Sequence, residues 1–115
     1  MIISIHTQSA FTDYEYFKEK MDELLKDYPN VEKCLYGRSQ TKEFAHLYFE
    51  GTDTICENPK LSNFKIQNLY KQIERSDLSI FFYNQEIKVG ANLTGKSISR
   101  AKNLEKEHVI FSYTY

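Results

Sequence analysis

The chain has no tryptophan, only two cysteines, two prolines and four glycines among 115 residues, and its formal net charge is -1. Each shortage excludes something. So little proline and glycine leaves no linker and no low-complexity segment, and no internal repeat is visible. Cys34 and Cys56 do not have the spacing of metal ligands and read as buried thiols rather than a bridge. His6, His46 and His108 are scattered, so no metal centre and no cofactor are expected. No apolar run approaches the roughly 20 residues needed to span a bilayer. No charged start is followed by an apolar stretch, so no signal peptide is expected; the expectation is a cytoplasmic protein with no membrane partner. A sequence pI of about 6.3 provides no positive field to gather phosphate backbones, which argues against nucleic acid as a partner.

What remains is a globular profile: 41% hydrophobic, 27% charged and 15% aromatic, the aromatics being nine Tyr and eight Phe. The length suits one domain spanning residues 1–115. Residues 1–6 are a β-branched apolar run that predicts a first, central strand. Thr12-Asp13-Tyr14-Glu15 fits a capping box, with Thr12 and Glu15 each satisfying an amide at the start of a helix. That helix carries Tyr14, Phe17, Met21, Leu24 and Leu25 on one face. A second strand is predicted at 31–36, a helix at 41–50 stopped by Gly51, and a weak third strand at 52–56. Helical spacing over 61–75 predicts a third helix. Residues 78–83 are the strongest strand pattern in the chain, nearly continuous and suited to a sheet covered on both faces. A last helix is lined by Ile98, Ala101 and Leu104, and a last strand occupies 108–113. Regular β-α alternation predicts an α/β, Rossmann-like three-layer domain with a short, mainly parallel sheet.

Ligands of such sheets sit beyond the carboxyl ends of the strands. The loops predicted there, 6–11, 37–40 and 83–97, carry His6, Thr7, Gln8, Ser9, Gly37, Arg38, Ser39, Gln40, Asn84, Asn92, Thr94, Gly95, Lys96 and Ser97, a hydrogen-bonding set with two cations suited to an anionic or sugar-bearing ligand. Residues 90–97, Gly-Ala-Asn-Leu-Thr-Gly-Lys-Ser, satisfy the P-loop pattern letter for letter. Their place argues against ATP or GTP hydrolysis, because a P-loop enzyme carries the motif after its first strand and needs a later strand ending in a magnesium-binding Asp. Two uses remain open. A Gly-containing turn opening a helix offers free amides to an anion, with Lys96 adding a full charge. Alternatively, Thr94 or Ser97 simply caps a helix docked through Ile98 and Ala101.

The order of motifs resembles the SLOG superfamily, the Rossmann-like group that includes the DprA and Lonely Guy proteins. The likeness is carried by Phe11-Thr12-Asp13-Tyr14 with Phe17 and Leu24-Leu25. It continues with Ser76-Asp77-Leu78 through Phe82, a Gly-bearing loop, Ala101-Lys102 and Val109-Ile110. The resemblance implies binding of nucleotides or nucleotide-derived sugars and, in some members, hydrolysis at the glycosidic bond. Thr7-Gln8-Ser9 stands where many members have Gly-Gly-Arg, and Ile98-Ser99-Arg100 stands where a catalytic Glu would follow the phosphate loop. The expectation is therefore a non-catalytic binder of a nucleotide-type small molecule. Two alternatives are a glycosidic-bond hydrolase or transferase using Asp13 or Asp77, and a protein-interaction module, homo-oligomer included, with a vestigial pocket.

Overall fold

The computed structural model describes residues 1–84 and 93–114, the side chain of Ser39 excepted. Five strands and four helices alternate along it: β1 (Ile2–Thr7), α1 (Tyr14–Leu25), β2 (Lys33–Tyr36), α2 (Ser39–Tyr48), β3 (Ile55–Glu57), α3 (Lys65–Arg75), β4 (Leu78–Tyr83), α4 (Leu93–Asn103) and β5 (His108–Ser112). The strands form one parallel sheet in the order β3-β2-β1-β4-β5. The expected α/β, Rossmann-like domain is thus observed. The chain runs outward from β1 to β3, then returns through α3 to the far side of β1, so strand order reverses between β1 and β4. Right-handed crossovers then put α1 and α2 on one face of the sheet and α3 and α4 on the other.

β1 and β4 are buried along almost their whole length because both are flanked by strands and covered by helices. Their register pairs Ile3 with Leu78, Ser4 with Ser79, Ile5 with Ile80 and His6 with Phe81. Since alternate side chains point to opposite faces, Ile3, Ile5, Leu78, Ile80 and Phe82 join Phe11, Phe17 and Met21 in the larger core, while Phe81 joins Ile73, Ile98 and Ala101 in a smaller one.

Local boundaries differ from expectation for identifiable reasons. α1 is capped by Asp13, whose carboxylate accepts the Tyr16 amide, not by a Thr12 capping box. α3 begins at Lys65, not Leu61: the Leu61 amide donates to the Asn68 side chain, which keeps the preceding segment out of the helix. α4 begins at Leu93, so Gly95, Lys96 and Ser97 lie inside its first turns rather than in a loop before it. α2 spans Ser39–Tyr48 rather than 41–50 and has Phe49 as its C-cap, so Gly51, with φ of +77°, lies in the turn beyond the cap. Among the described residues no helix is long and apolar enough to cross a membrane.

Candidate functional site

At the point where strand order reverses, the carboxyl ends of β1 and β4 are joined by one side chain. Gln8 Nε2 donates to the Asn84 carbonyl at 3.2 Å, and Gln8 Oε1 accepts from the Asn84 amide and from the Tyr113 hydroxyl, both at 2.7 Å. The carboxamide imitates a further rung of the β1–β4 ladder. The buried Thr7 hydroxyl meets that of Thr41 at 2.7 Å, which docks α2 on β1. The Thr7 carbonyl accepts from Thr94 Oγ1 at 3.2 Å and, at 3.5 Å, from Arg38 Nη1. Three separate segments therefore meet at the end of β1.

Beside this junction lies a cavity of about 350 Å³ lined by Gly37, Arg38, Gln40, Lys65, Leu69 and Leu93. Its walls are the starts of α2, α3 and α4. Neither Arg38, the cap residue of α2, nor Phe64, that of α3, makes a side-chain capping bond, and none of the three helices has an acidic residue in its first turn. The positive ends of these helices thus add to the charges of Arg38 and Lys65 without an intrahelical carboxylate to offset them. A Cβ at Gly37 would meet the side-chain end of Leu69, which marks how closely α3 approaches the end of β2. Gln72 locks the same approach by donating to the Tyr36 carbonyl at 3.0 Å and to Asn58 Oδ1 at 3.3 Å.

The residues singled out from sequence divide accordingly. Gly37 and Arg38 line the cavity. Thr7, Gln8 and Thr94 are buried at the junction, their polar groups engaged within the protein. Ser97 is buried, and its hydroxyl turns back to the Leu93 carbonyl at 2.8 Å. Ser9 and Lys96 are exposed, and Gly95 is a half-buried helical residue. Ser39 is the first residue of α2, and Asn92, with the preceding part of the P-loop match, falls outside the described residues. Gln40, also picked out from the sequence, lines the cavity, whereas sequence reasoning missed Lys65, Leu69 and Leu93. Lys65 was hidden inside a helix predicted to start four residues too early; Asn58-Pro59 after β3 was the available sign of a loop at this edge.

The carboxylates of the enzyme reading lie elsewhere. Asp13 caps α1, and Asp77 Oδ2 accepts the Ile2 amide at 2.7 Å at the amino ends of the strands, the opposite edge of the sheet. Among the described residues no cluster of three or more His, Cys, Asp or Glu is arranged to hold a metal. In comparisons with known proteins, no family model and no curated protein matches the chain.

Proposed function

We propose that the protein binds a small anionic ligand of the nucleotide class, without turning it over, in the cavity between the starts of α2, α3 and α4. The observation that carries this reading is the convergence of Arg38 and Lys65, from segments distant in sequence, on one cavity at the carboxyl edge of a parallel sheet. This is the edge at which such sheets place their ligands. A volume of about 350 Å³ falls at the small end of the usual range for ligand sites, which suits a mononucleotide or sugar phosphate better than a dinucleotide. Among the described residues, none of the six that line it carries a carboxylate, thiol or imidazole to move a proton or attack a glycosidic carbon. The ligand class agrees with that implied by the SLOG resemblance.

Calorimetric titration with AMP, ADP, ADP-ribose and pyrophosphate tests the proposal. Wild type should bind at least one of them, and Arg38→Ala and Lys65→Ala should each weaken binding by about 1.5 to 3 kcal/mol, the range for hydrogen bonds to charged groups. Folded protein that binds none of them, or binding indifferent to both substitutions, overturns it. Turnover of any member of the panel replaces it with the enzyme reading.

A further inference from the structure

Away from the cavity, the two cysteines occupy facing positions on neighbouring strands. Cys34 of β2 pairs in register with Cys56 of β3. Parallel strands run about 4.8 Å apart, within the roughly 4.4 to 6.8 Å between Cα atoms that a disulfide can bridge. The Cys34 thiol is buried, and Cys56, half-buried on the edge strand, donates its thiol proton to the Ala45 carbonyl of α2 at 3.6 Å.

The two sulfurs are not equivalent. The neighbouring Cys34 thiol holds that of Cys56 below its ordinary value, while the same neighbourhood, with burial, pushes Cys34 well above. A more acidic, partly exposed thiol backed by a protonated, buried one is an attacking cysteine with a resolving partner. We propose that Cys34 and Cys56 form a redox site that reacts with a hydroperoxide and closes to an intramolecular disulfide joining β2 to β3.

In the first step Cys56 sulfur attacks a peroxide oxygen and the O–O bond breaks. A sulfenic acid forms, and the other oxygen leaves as water with the thiol proton. In the second, Cys34 sulfur attacks Cys56 sulfur, the S–O bond breaks, and hydroxide departs as water with the Cys34 proton. Two thiols and hydrogen peroxide thus become one disulfide and two waters. The surroundings favour this outcome over capture of a soft metal ion. Tyr36, close enough to feel both thiols, is hydrogen-bonded to His46 at 3.2 Å, and the cation of β2, Lys33, is paired with Glu57 at 3.4 Å. A bis-thiolate complex of a monovalent ion would keep a net negative charge here, whereas a disulfide is neutral.

The test is native wild-type protein treated with hydrogen peroxide, quenched with N-ethylmaleimide and weighed intact. The expected product is a monomer two hydrogens lighter, with both thiols lost to alkylation even after denaturation, and dithiothreitol restoring two alkylation sites. In Cys34→Ser the reaction should stop at a Cys56 sulfenic acid trapped by dimedone; in Cys56→Ser the remaining thiol should lose most of its peroxide reactivity. Three results overturn the proposal: no reaction of the folded wild type, oxygen added to Cys56 while Cys34 remains alkylatable, or disulfides only between molecules. Because the wild-type measurement needs no substitution, a variant that fails to fold leaves the decision intact.

Discussion

On the α1/α2 face of the sheet, Phe82 has the rings of Phe11 and Phe17 each 5.0 Å away and that of Phe111 at 5.3 Å, while Phe11 also meets Phe44 and Tyr113. On the α3/α4 face the same two central strands present Ser4, His6 and Ser79, joined by Ser76 from the end of α3. One face is held by aromatic packing; the other combines a small apolar core with a buried chain of hydroxyls. The Ser4 hydroxyl donates to Ser79 at 3.0 Å and the Ser76 hydroxyl to the Ile73 carbonyl at 3.0 Å. Because each hydroxyl has one proton, Ser79 donates to Ser76 and His6 Nε2 donates to Ser4, which makes His6 the neutral Nε2–H tautomer. The two layers therefore resist different insults. The aromatic face is vulnerable to lost volume, the polar face to lost protons or added charge.

The largest effect should come from cutting the aromatic face. Phe82→Ala should cost about 3 to 5 kcal/mol, measured by urea unfolding. Phe81→Ala, equally buried but facing only the smaller core and the His6 ring at 4.8 Å, should cost less. If Phe81→Ala proves the more damaging, the asymmetry between the layers is wrong.

A change of pH should then break the polar face without touching the other. His6 is buried with no partner for Nδ1, so desolvation lowers its pKa from 6.5 to about 3. Below pH 6.5 the unfolded chain takes up a proton that the native chain refuses. The stabilisation is therefore complete above pH 6.5 and is lost as pH falls toward 3, by about 1.4 kcal/mol per pH unit, or about 2 kcal/mol between pH 7 and pH 5. His6→Phe, which can keep a ring on Phe81 and removes only the first donor of the chain, should lack this part of the acid sensitivity. Identical pH profiles for the two proteins would refute it.

Ser79→Ala should have a smaller effect, about 1 kcal/mol, because it removes one link of the chain while the Ser4 hydroxyl can turn to Ser76, 3.2 Å away. A thermal unfolding shift no larger than that of an exposed control such as Ser99→Ala would mean that the chain of hydroxyls contributes nothing.

This division between the faces was only half legible in the sequence. The strand runs 1–6 and 78–83 and the helical spacings of Phe17, Met21, Ile98 and Ala101 follow from periodicity, so the alternating elements and the parallel sheet could be read directly. That Ser4 would face Ser79 could not, because it depends on the register of two strands 75 residues apart. The site was harder for the same reason. Gln8 looked like a ligand-facing polar residue, yet its carboxamide completes a backbone ladder with Asn84; Lys65 looked like a surface residue inside a helix, yet a later helix start brings it to the cavity. Residue type marks a side chain as able to bond. Tertiary geometry decides whether its bonds are spent within the protein or remain for a ligand.

The smallest effect is expected where the sequence signal was sharpest. Lys96 occupies the lysine position of the P-loop pattern, but it is exposed in the first turn of α4, next to Ser97, whose hydroxyl is turned back into the helix. The residues of that helix that dock are Thr94, Ser97, Ile98 and Ala101, all buried. A lysine in a first turn opposes the helix dipole, and alanine has the higher helix propensity, so both terms favour Lys96→Ala slightly. Stability should therefore change by no more than about 0.5 kcal/mol. Affinity for the ligand that Arg38 and Lys65 hold should stay within about twofold of wild type, since a twofold change in Kd corresponds to only about 0.4 kcal/mol. Measured beside Lys65→Ala in the same titration, the substitution separates two placements of the anion. A loss with Lys65→Ala alone puts it in the cavity among the three helix starts, and an equal or greater loss with Lys96→Ala would move it to the exposed start of α4, as the linear motif implies.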